Sequence, residues 1–359
     1  MRRASALPIA PVALFAPWLC IACGGPIVEA EDLSLDITGD EAPTSTGTGT
    51  DSDTESTGDT TTDTTTDTTA TTGDPDSFRV AIFADSHVVG PEYQGGDENL
   101  LSAAMQLEGV RWEIEHIVPP PDFAVIIGDL VHDAYPTDDQ SFYEQNPSAF
   151  SIVDDILTSF PVPVYQVFGE SDYAVPKFPR TLSHALFAYF FVKEPYYAVD
   201  HGGWRFVFSN SQYGPTFDPM TVFSDTTKGS YGPVQLTWLA DKVDDGVPTV
   251  VFSHFPIGST VVDEAVNNAP YPDMRSLLSA AADVELIFTG HSHVWTSTPA
   301  EFGAPHYEVG ATRYDTDNFI LMEFNLDGSY EFLDIDKVQW NTPNADHWVY
   351  DQGTPMPAP

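Results

Sequence analysis

Cysteine is nearly missing from this chain: two among 359 residues, Cys20 and Cys23, both in the N-terminal leader. The rest can form no disulfide and offers no thiolate, so any metal must be held by imidazoles and carboxylates. Basic side chains are also scarce, 13 Lys and Arg against 54 Asp and Glu, giving a formal net charge of −41. Duplex nucleic acid needs clustered Lys and Arg, so this balance argues against it as a partner. The apolar run of the leader, broken by Pro8, Pro11 and Pro17, is too short for a membrane span.

What is present begins with that leader, MRRASALPIAPVALFAPWLCIACGG, basic at Arg2-Arg3 and then apolar, which reads as an export signal over 1–23. Its end, Cys20-Ile-Ala-Cys23-Gly24, resembles a bacterial lipobox with Cys20 where Leu is preferred. That resemblance implies a lipid on Cys23 and attachment to the cell envelope; cleavage near Ala22 with release is the alternative. Residues 24–77 are rich in Thr, Asp, Gly and Ser and hold no Lys or Arg. Such a segment cannot bury enough surface to offset chain entropy, and self-repulsion extends it, so it is expected to be a disordered tether. It carries no D-x-[DN]-x-[DN]-G frame, so its Asp/Thr repeats are not read as calcium loops.

The folded part is expected over 78–340, with a loose tail at 341–359. Its centre is DFAVIIGDLVHD, Asp122 to Asp133. Phe123 to Ile127 is a continuous apolar, β-branched run, as in a strand buried on both faces, and Gly128 ends it. Asp129 follows, at the strand end where open α/β sheets bind ligands, and its two oxygens can bridge two cations. Four more strand-like runs end similarly. FRVAIFADSH supplies Asp85 and His87, and VPVYQVFGESD supplies Glu170 and Asp172. TVVFSHFP supplies His254, and VELIFTGHSH supplies His291 and His293. Five strands ending in Asp, His or Glu point to a metal centre.

Helical spacing over Asn99–His116, Phe142–Phe160 and Gly232–Val243, alternating with these strands, predicts a layered α/β core. A hairpin is expected around Gly202-Gly203 within Pro195–Asn210. Strands around HYEVGATR, FILMEFNL and YEFLDID are expected to belong to a second sheet.

Taken in order, Asp85-Ser-His87, Gly128-Asp129, Gly169-Glu-Ser-Asp172, His254 and Gly290-His-Ser-His293 resemble the motifs of calcineurin-like metallophosphoesterases. The family patterns are D-x-H, G-D, G-N-H-[DE], a lone H and G-H-x-H. The resemblance implies a four-layer α-β-β-α sandwich and a site with two metal ions, Mn, Fe or Zn. It implies that Asp85, His87 and His293 hold one ion, that His254 and His291 hold the other, and that Asp129 bridges them. The implied activity is hydrolysis of a small phosphate ester, with Asp85, Asp129, His254 and the residue at Ser171 serving catalysis.

The departure lies in Gly169-Glu170-Ser171-Asp172. Glu170 stands where the family has an Asn ligand; it can also ligate, but adds a negative charge that tightens cation binding and weakens Lewis acidity. Ser171 stands where the family has a His that assists the leaving group. A serine cannot protonate an alkoxide near neutral pH, and losing general-acid catalysis costs about 10²–10⁴-fold. A metal-binding relative that recognises a ligand or partner is therefore carried as the alternative. His132 is a candidate for contacting substrate or replacing the missing His, and Asp172 for orienting a neighbour. Lys177, Arg180 and Arg313 are the few cations available to attract phosphate, while His116, His184, His201, His306 and His347 read as surface or core residues.

Overall fold

Residues Ser77–Phe83 form strand β1, whose side chains divide by period 2: Val80 and Ile82 point to one hydrophobic cluster, Ala81 and Phe83 to another. The same division recurs along β2 (Phe123–Ile127), with Phe123, Val125 and Ile127 on one side and Ala124 and Ile126 on the other. Both strands are covered on both faces, which explains their unbroken apolar sequences. The computed structural model describes residues 76–333 apart from 133, 222–223, 261–271 and 300, all within the unit Asp67–Pro359. The expected leader with Cys23, the tether up to residue 75 and the tail at 341–359 lie outside the described residues. Among the described residues no helix is long and apolar enough to cross a membrane.

The remaining strands are β3 (Val164–Val167), β4 (Tyr197–His201), β5 (Trp204–Phe208), β6 (Thr249–Ser253), β7 (Val284–Thr289), β8 (Thr296–Thr298), β9 (His306–Glu308), β10 (Phe319–Asn325) and β11 (Tyr330–Phe332). They make two mixed sheets, ordered β11-β10-β1-β2-β3 and β4-β5-β6-β7-β9-β8. The sheets share the cluster that contains Val80, Val125, Phe206, Phe252 and Phe288. On the far side of the first sheet pack helices α1 (Glu98–Glu115) and α3 (Ala149–Thr158), through Leu107, Val110, Phe150 and Val153. On the far side of the second pack α5 (Gly232–Lys242) and α6 (Met274–Ala280), through Leu236, Leu239, Leu277 and Leu278. Two short helices, α2 (Gln140–Gln145) and α4 (Arg180–Leu186), complete the set. The layering is the expected α-β-β-α sandwich.

Two expectations need correction. The helix foreseen over Phe142–Phe160 is broken into α2 and α3. Asn146, before Pro147, is extended at φ −128° and ψ 146°, the geometry forced on a residue preceding proline. Ser148 then caps α3 reciprocally with Ser151, which starts a new helix. The late strands also do not all join the second sheet. β9 does, but β10 pairs antiparallel with β1 from Ser77↔Asn325 to Phe83↔Phe319, and β11 follows it at the edge of the first sheet.

In the first sheet β1, β2 and β3 run parallel, and in the second β5, β6 and β7 do. Their carboxyl ends meet across the sandwich. His254 Nδ1, just past β6, lies 2.9 Å from the Ile127 carbonyl oxygen at the end of β2. Beyond β1, an isolated bridge joins Ala84 to Ala311.

Candidate metal centre

Every sequence-predicted ligand sits one to four residues past a parallel strand, and the fold brings all of them together. Asp85, His87 and His293 form one group, Glu170, His254 and His291 a second, and Asp85, Asp129 and His254 a third. Within each group one ligand atom per residue lies within 4.8 Å of the others. Asp129 faces both sides: Oδ2 is 3.3 Å from His87 Nε2 and Oδ1 is 3.4 Å from His254 Nε2. Asp85 Oδ1 lies 3.3 Å from His293 Nε2, and His87 Nε2 and His293 Nε2 are 3.0 Å apart. Glu170 reaches across the second group, Oε2 at 2.7 Å from His254 Nε2 and Oε1 at 2.7 Å from His291 Nδ1.

The backbone is bent to achieve this. Asp85, His87, Asp129, His291 and His293 all adopt left-handed conformations, with φ of 55°, 48°, 48°, 67° and 57°. Such a conformation costs a non-glycine residue about 1–2 kcal/mol, although Asp and His tolerate it better than most. Five such residues at one place mark stored strain of the kind found at functional sites. Gly169 permits the closest approach: a Cβ there would collide with Asp129 Oδ1 and its backbone nitrogen.

The charge distribution suits cations. Asp85, Asp129 and His254 are almost fully buried. Burial alone would push the Asp85 carboxyl up, but His293, His87 and His254 hold it below the usual range. Burial and the negative charge of Glu170 push Asp129 up. For Glu170, burial is outweighed by His254 and His291, which hold it low. Burial opposes protonation of His254, yet Asp129 and Glu170 draw it well above its ordinary value. This is a buried surplus of negative charge that a cation relieves.

Hydrogen bonding agrees with that reading. His254 Nδ1 must donate to the Ile127 carbonyl, so Nε2 is the nitrogen turned into the site, where a cation would take the place of its proton. Glu170 Oε2, His254 Nε2 and His291 Nδ1 are buried without a well-formed hydrogen bond, although Oε2 lies 2.7 Å from His254 Nε2 and the other oxygen, Oε1, lies 2.7 Å from His291 Nδ1. Atoms that close, yet misaligned for each other, are suited to share a third body. The donor set of four imidazoles and three carboxylates fits Mn, Fe or Zn.

The surrounding residues fall into place around this core. Ser171 donates to Asp129 twice, through its backbone N–H at 2.9 Å and its hydroxyl at 3.0 Å. Asp172 accepts from Val131 N–H at 2.9 Å and Gly169 N–H at 2.8 Å, fastening the two ligand loops together. His132 Nδ1 is 3.2 Å from His87 Nδ1, beside the first group. Tyr314 was not foreseen; its hydroxyl is 3.5 Å from His293 Nδ1 and accepts from Arg313 Nη2 at 2.6 Å. Nothing in its local sequence marks it. Arg180 is anchored away from solvent on one side, its Nη1 donating to the carbonyls of Gln212, Tyr213 and Gly214. His306 is a buried partner of Thr289, as a core reading requires.

Against this geometry stand the comparisons with known proteins. The family model described as calcineurin-like phosphoesterase matches residues 78–295, and the chain belongs to that family. Among solved structures it is similar to a dimetal phosphatase from Danio rerio, at 17% identity and TM-score 0.46, covering 68% of this chain and 92% of that one. It is also similar to the calcineurin-like phosphoesterase YfkN from Bacillus subtilis, at 12% identity and TM-score 0.42, covering 72% and 88%. A third is GAP50, the anchor in the inner membrane complex of Plasmodium, at 12% identity and TM-score 0.42, covering 70% and 82%. No curated protein matches the chain.

Proposed function

We propose that this protein is an exported, metal-dependent phosphoesterase that hydrolyses a small phosphomonoester or phosphodiester. The observation that carries the reading is the convergence of Asp85, His87, His254, His291, His293 and Glu170 around a buried Asp129. Asp85, His87 and His293 would hold one cation, Glu170, His254 and His291 the other, with Asp129 between them. Two such ions polarise phosphoryl oxygens and acidify water, which is what hydrolysis of a phosphate ester requires.

The protein's own residues prepare for that chemistry. Ser171 fixes the Asp129 carboxylate through both of its donors, so the bridging position is set in advance. The carbonyl of Ile127 fixes the tautomer of His254. Ser171 supplies no general acid, so leaving groups that depart without a proton are favoured. Export rests on the 1–23 leader, with a lipid on Cys23 holding the domain at the envelope by the 24–77 tether or cleavage releasing it.

The GESD segment favours a second reading, a metal-binding relative that recognises a ligand or partner with little turnover. Full-length protein with Mn²⁺ and a chromogenic aryl phosphodiester separates the two. Turnover that disappears in Asp129→Asn supports the phosphoesterase. Bound metal without turnover across a broad panel of phosphate esters supports the second reading.

A further inference from the structure

Beside the candidate metal centre lies a cavity of about 290 Å³ whose position and lining bear on substrate choice. Ser171 and His132 are among its lining residues. Ser171 Oγ is bonded to Asp129, and His132 touches His87, so the cavity begins where the candidate ligand shell ends. Its sides are the buried rings of Tyr135 and Tyr173. Both hydroxyls are already engaged: Tyr135 donates to the Asp172 carbonyl, and Tyr173 pairs with Asn210 and His184. The rings therefore present mainly apolar surface.

Lys177 also lines the cavity and is exposed to solvent. Its ammonium donates to the Tyr135 carbonyl at 2.7 Å and lies 5.2 Å from the centre of the Phe178 ring, which holds it in place. An ammonium has three donors, so two more can be offered to an occupant. Among the described residues lining the cavity there is no carboxylate. In a chain with 54 acidic and 13 basic residues, a recess whose described lining holds a lysine and no carboxylate departs from the general charge pattern.

Resting on the phosphoesterase reading, we infer that this cavity receives the leaving group, and that the preferred leaving group carries an anionic substituent which pairs with Lys177. The size is at the low end of ligand pockets, about 300–1,000 Å³, and suits a small organic moiety rather than a polymer. The reacting phosphate sits at the metals, the aromatic walls cover the body of the leaving group, and Lys177 meets its far charge. The substrate class is thus a small phosphate ester with a second negative group, such as a carboxylate or another phosphate, on the alcohol or phenol side.

The test uses full-length, Mn²⁺-loaded protein and two substrates with the same reacting group, phenyl phosphate and 3-carboxyphenyl phosphate. Wild type is expected to prefer the carboxylated ester in kcat/KM. Lys177→Met lowers kcat/KM for that ester about tenfold, chiefly through KM, as loss of one charge-assisted hydrogen bond from an exposed lysine implies. It leaves phenyl phosphate within about twofold, and Lys177→Arg retains most of the preference. Lys177 is exposed, so neither variant endangers folding.

In parallel, calorimetry with the non-hydrolysable 3-carboxybenzylphosphonate reads binding without turnover. Binding that weakens about tenfold in Lys177→Met supports the cavity assignment even if no ester is turned over, in which case only the phosphoesterase reading falls. Turnover without preference, or equal losses for both substrates in Lys177→Met, overturns the cavity assignment and leaves the phosphoesterase reading standing. Absence of both turnover and phosphonate binding overturns both.

Discussion

Replacing Glu170 by Asn restores the residue that the family motif carries and isolates the effect of one charge. Glu170 spans the second group, each oxygen 2.7 Å from an imidazole nitrogen, so an ion held there would sit within a few ångströms of its carboxylate. A unit charge pair at about 4 Å in a medium of effective dielectric about 20 is worth about 4 kcal/mol. Part of that is offset, because Glu170 also repels the neighbouring Asp129, whose carboxyl is pushed up first by burial and next by this charge. Asn would still offer a carbonyl oxygen. The net loss is therefore about 2–4 kcal/mol, which weakens Mn²⁺ binding at one of two sites about 30- to 1,000-fold. Calorimetric titration of metal-free, full-length protein measures it directly: two binding steps in wild type, one of them weakened in Glu170→Asn. Unchanged affinity for both ions would refute the placement of Glu170 as a ligand.

Further predictions follow from neighbouring groups. Combining Glu170→Asn with Ser171→His should raise turnover of esters with poor leaving groups by about 10²-fold, through restored general-acid catalysis; a steady-state assay showing equal or lower rates would count against the account of this loop. Asp172→Ala leaves the N–H groups of Val131 and Gly169 buried without their acceptor, at about 1–3 kcal/mol each, so the urea midpoint should fall clearly. An unchanged midpoint would mean that the two loops are held by other means. His184 is kept neutral by burial and, next, by Arg180, with its pKa lowered from 6.5 to about 4. Its folded-state value lies below the unfolded one, so the unfolded chain binds the proton first, and stability falls as pH drops from about 6.5 to about 4. The contribution lost between pH 7 and 4.5 is about 2–3 kcal/mol and should be missing from the pH dependence of His184→Gln in urea titrations. The same slope in both proteins would contradict it.

Much of this arrangement is legible locally. Buried parallel strands must be apolar on both faces, so TVVFS and FAVII announce themselves, and ligands placed just beyond such strands stand out as the first polar residues. The reciprocal cap at Ser148 and the bias imposed by Pro147 were also written in the sequence, yet a helical spacing spread over both sides concealed the break. The pairing of β10 with β1 joins residues more than two hundred positions apart, and no local periodicity encodes which sheet a strand will join. The left-handed turns at Asp85, His87, Asp129, His291 and His293 leave no mark in the hydrophobic period of the sequence. The cavity bordered by Ser171 and Lys177 exists only because the loops after β2 and β3 lie side by side. Asp172 fastens those same loops, accepting from Val131 and Gly169 N–H across a separation of 41 residues in the first case.

The account stands on a shared pair of cations, and anomalous diffraction from crystals of the Mn²⁺-loaded protein tests that most directly. Two peaks about 3.5–4 Å apart are expected on either side of Asp129, one beside Asp85, His87 and His293 and the other beside Glu170, His254 and His291. A single peak, or none within reach of Asp129, would contradict it.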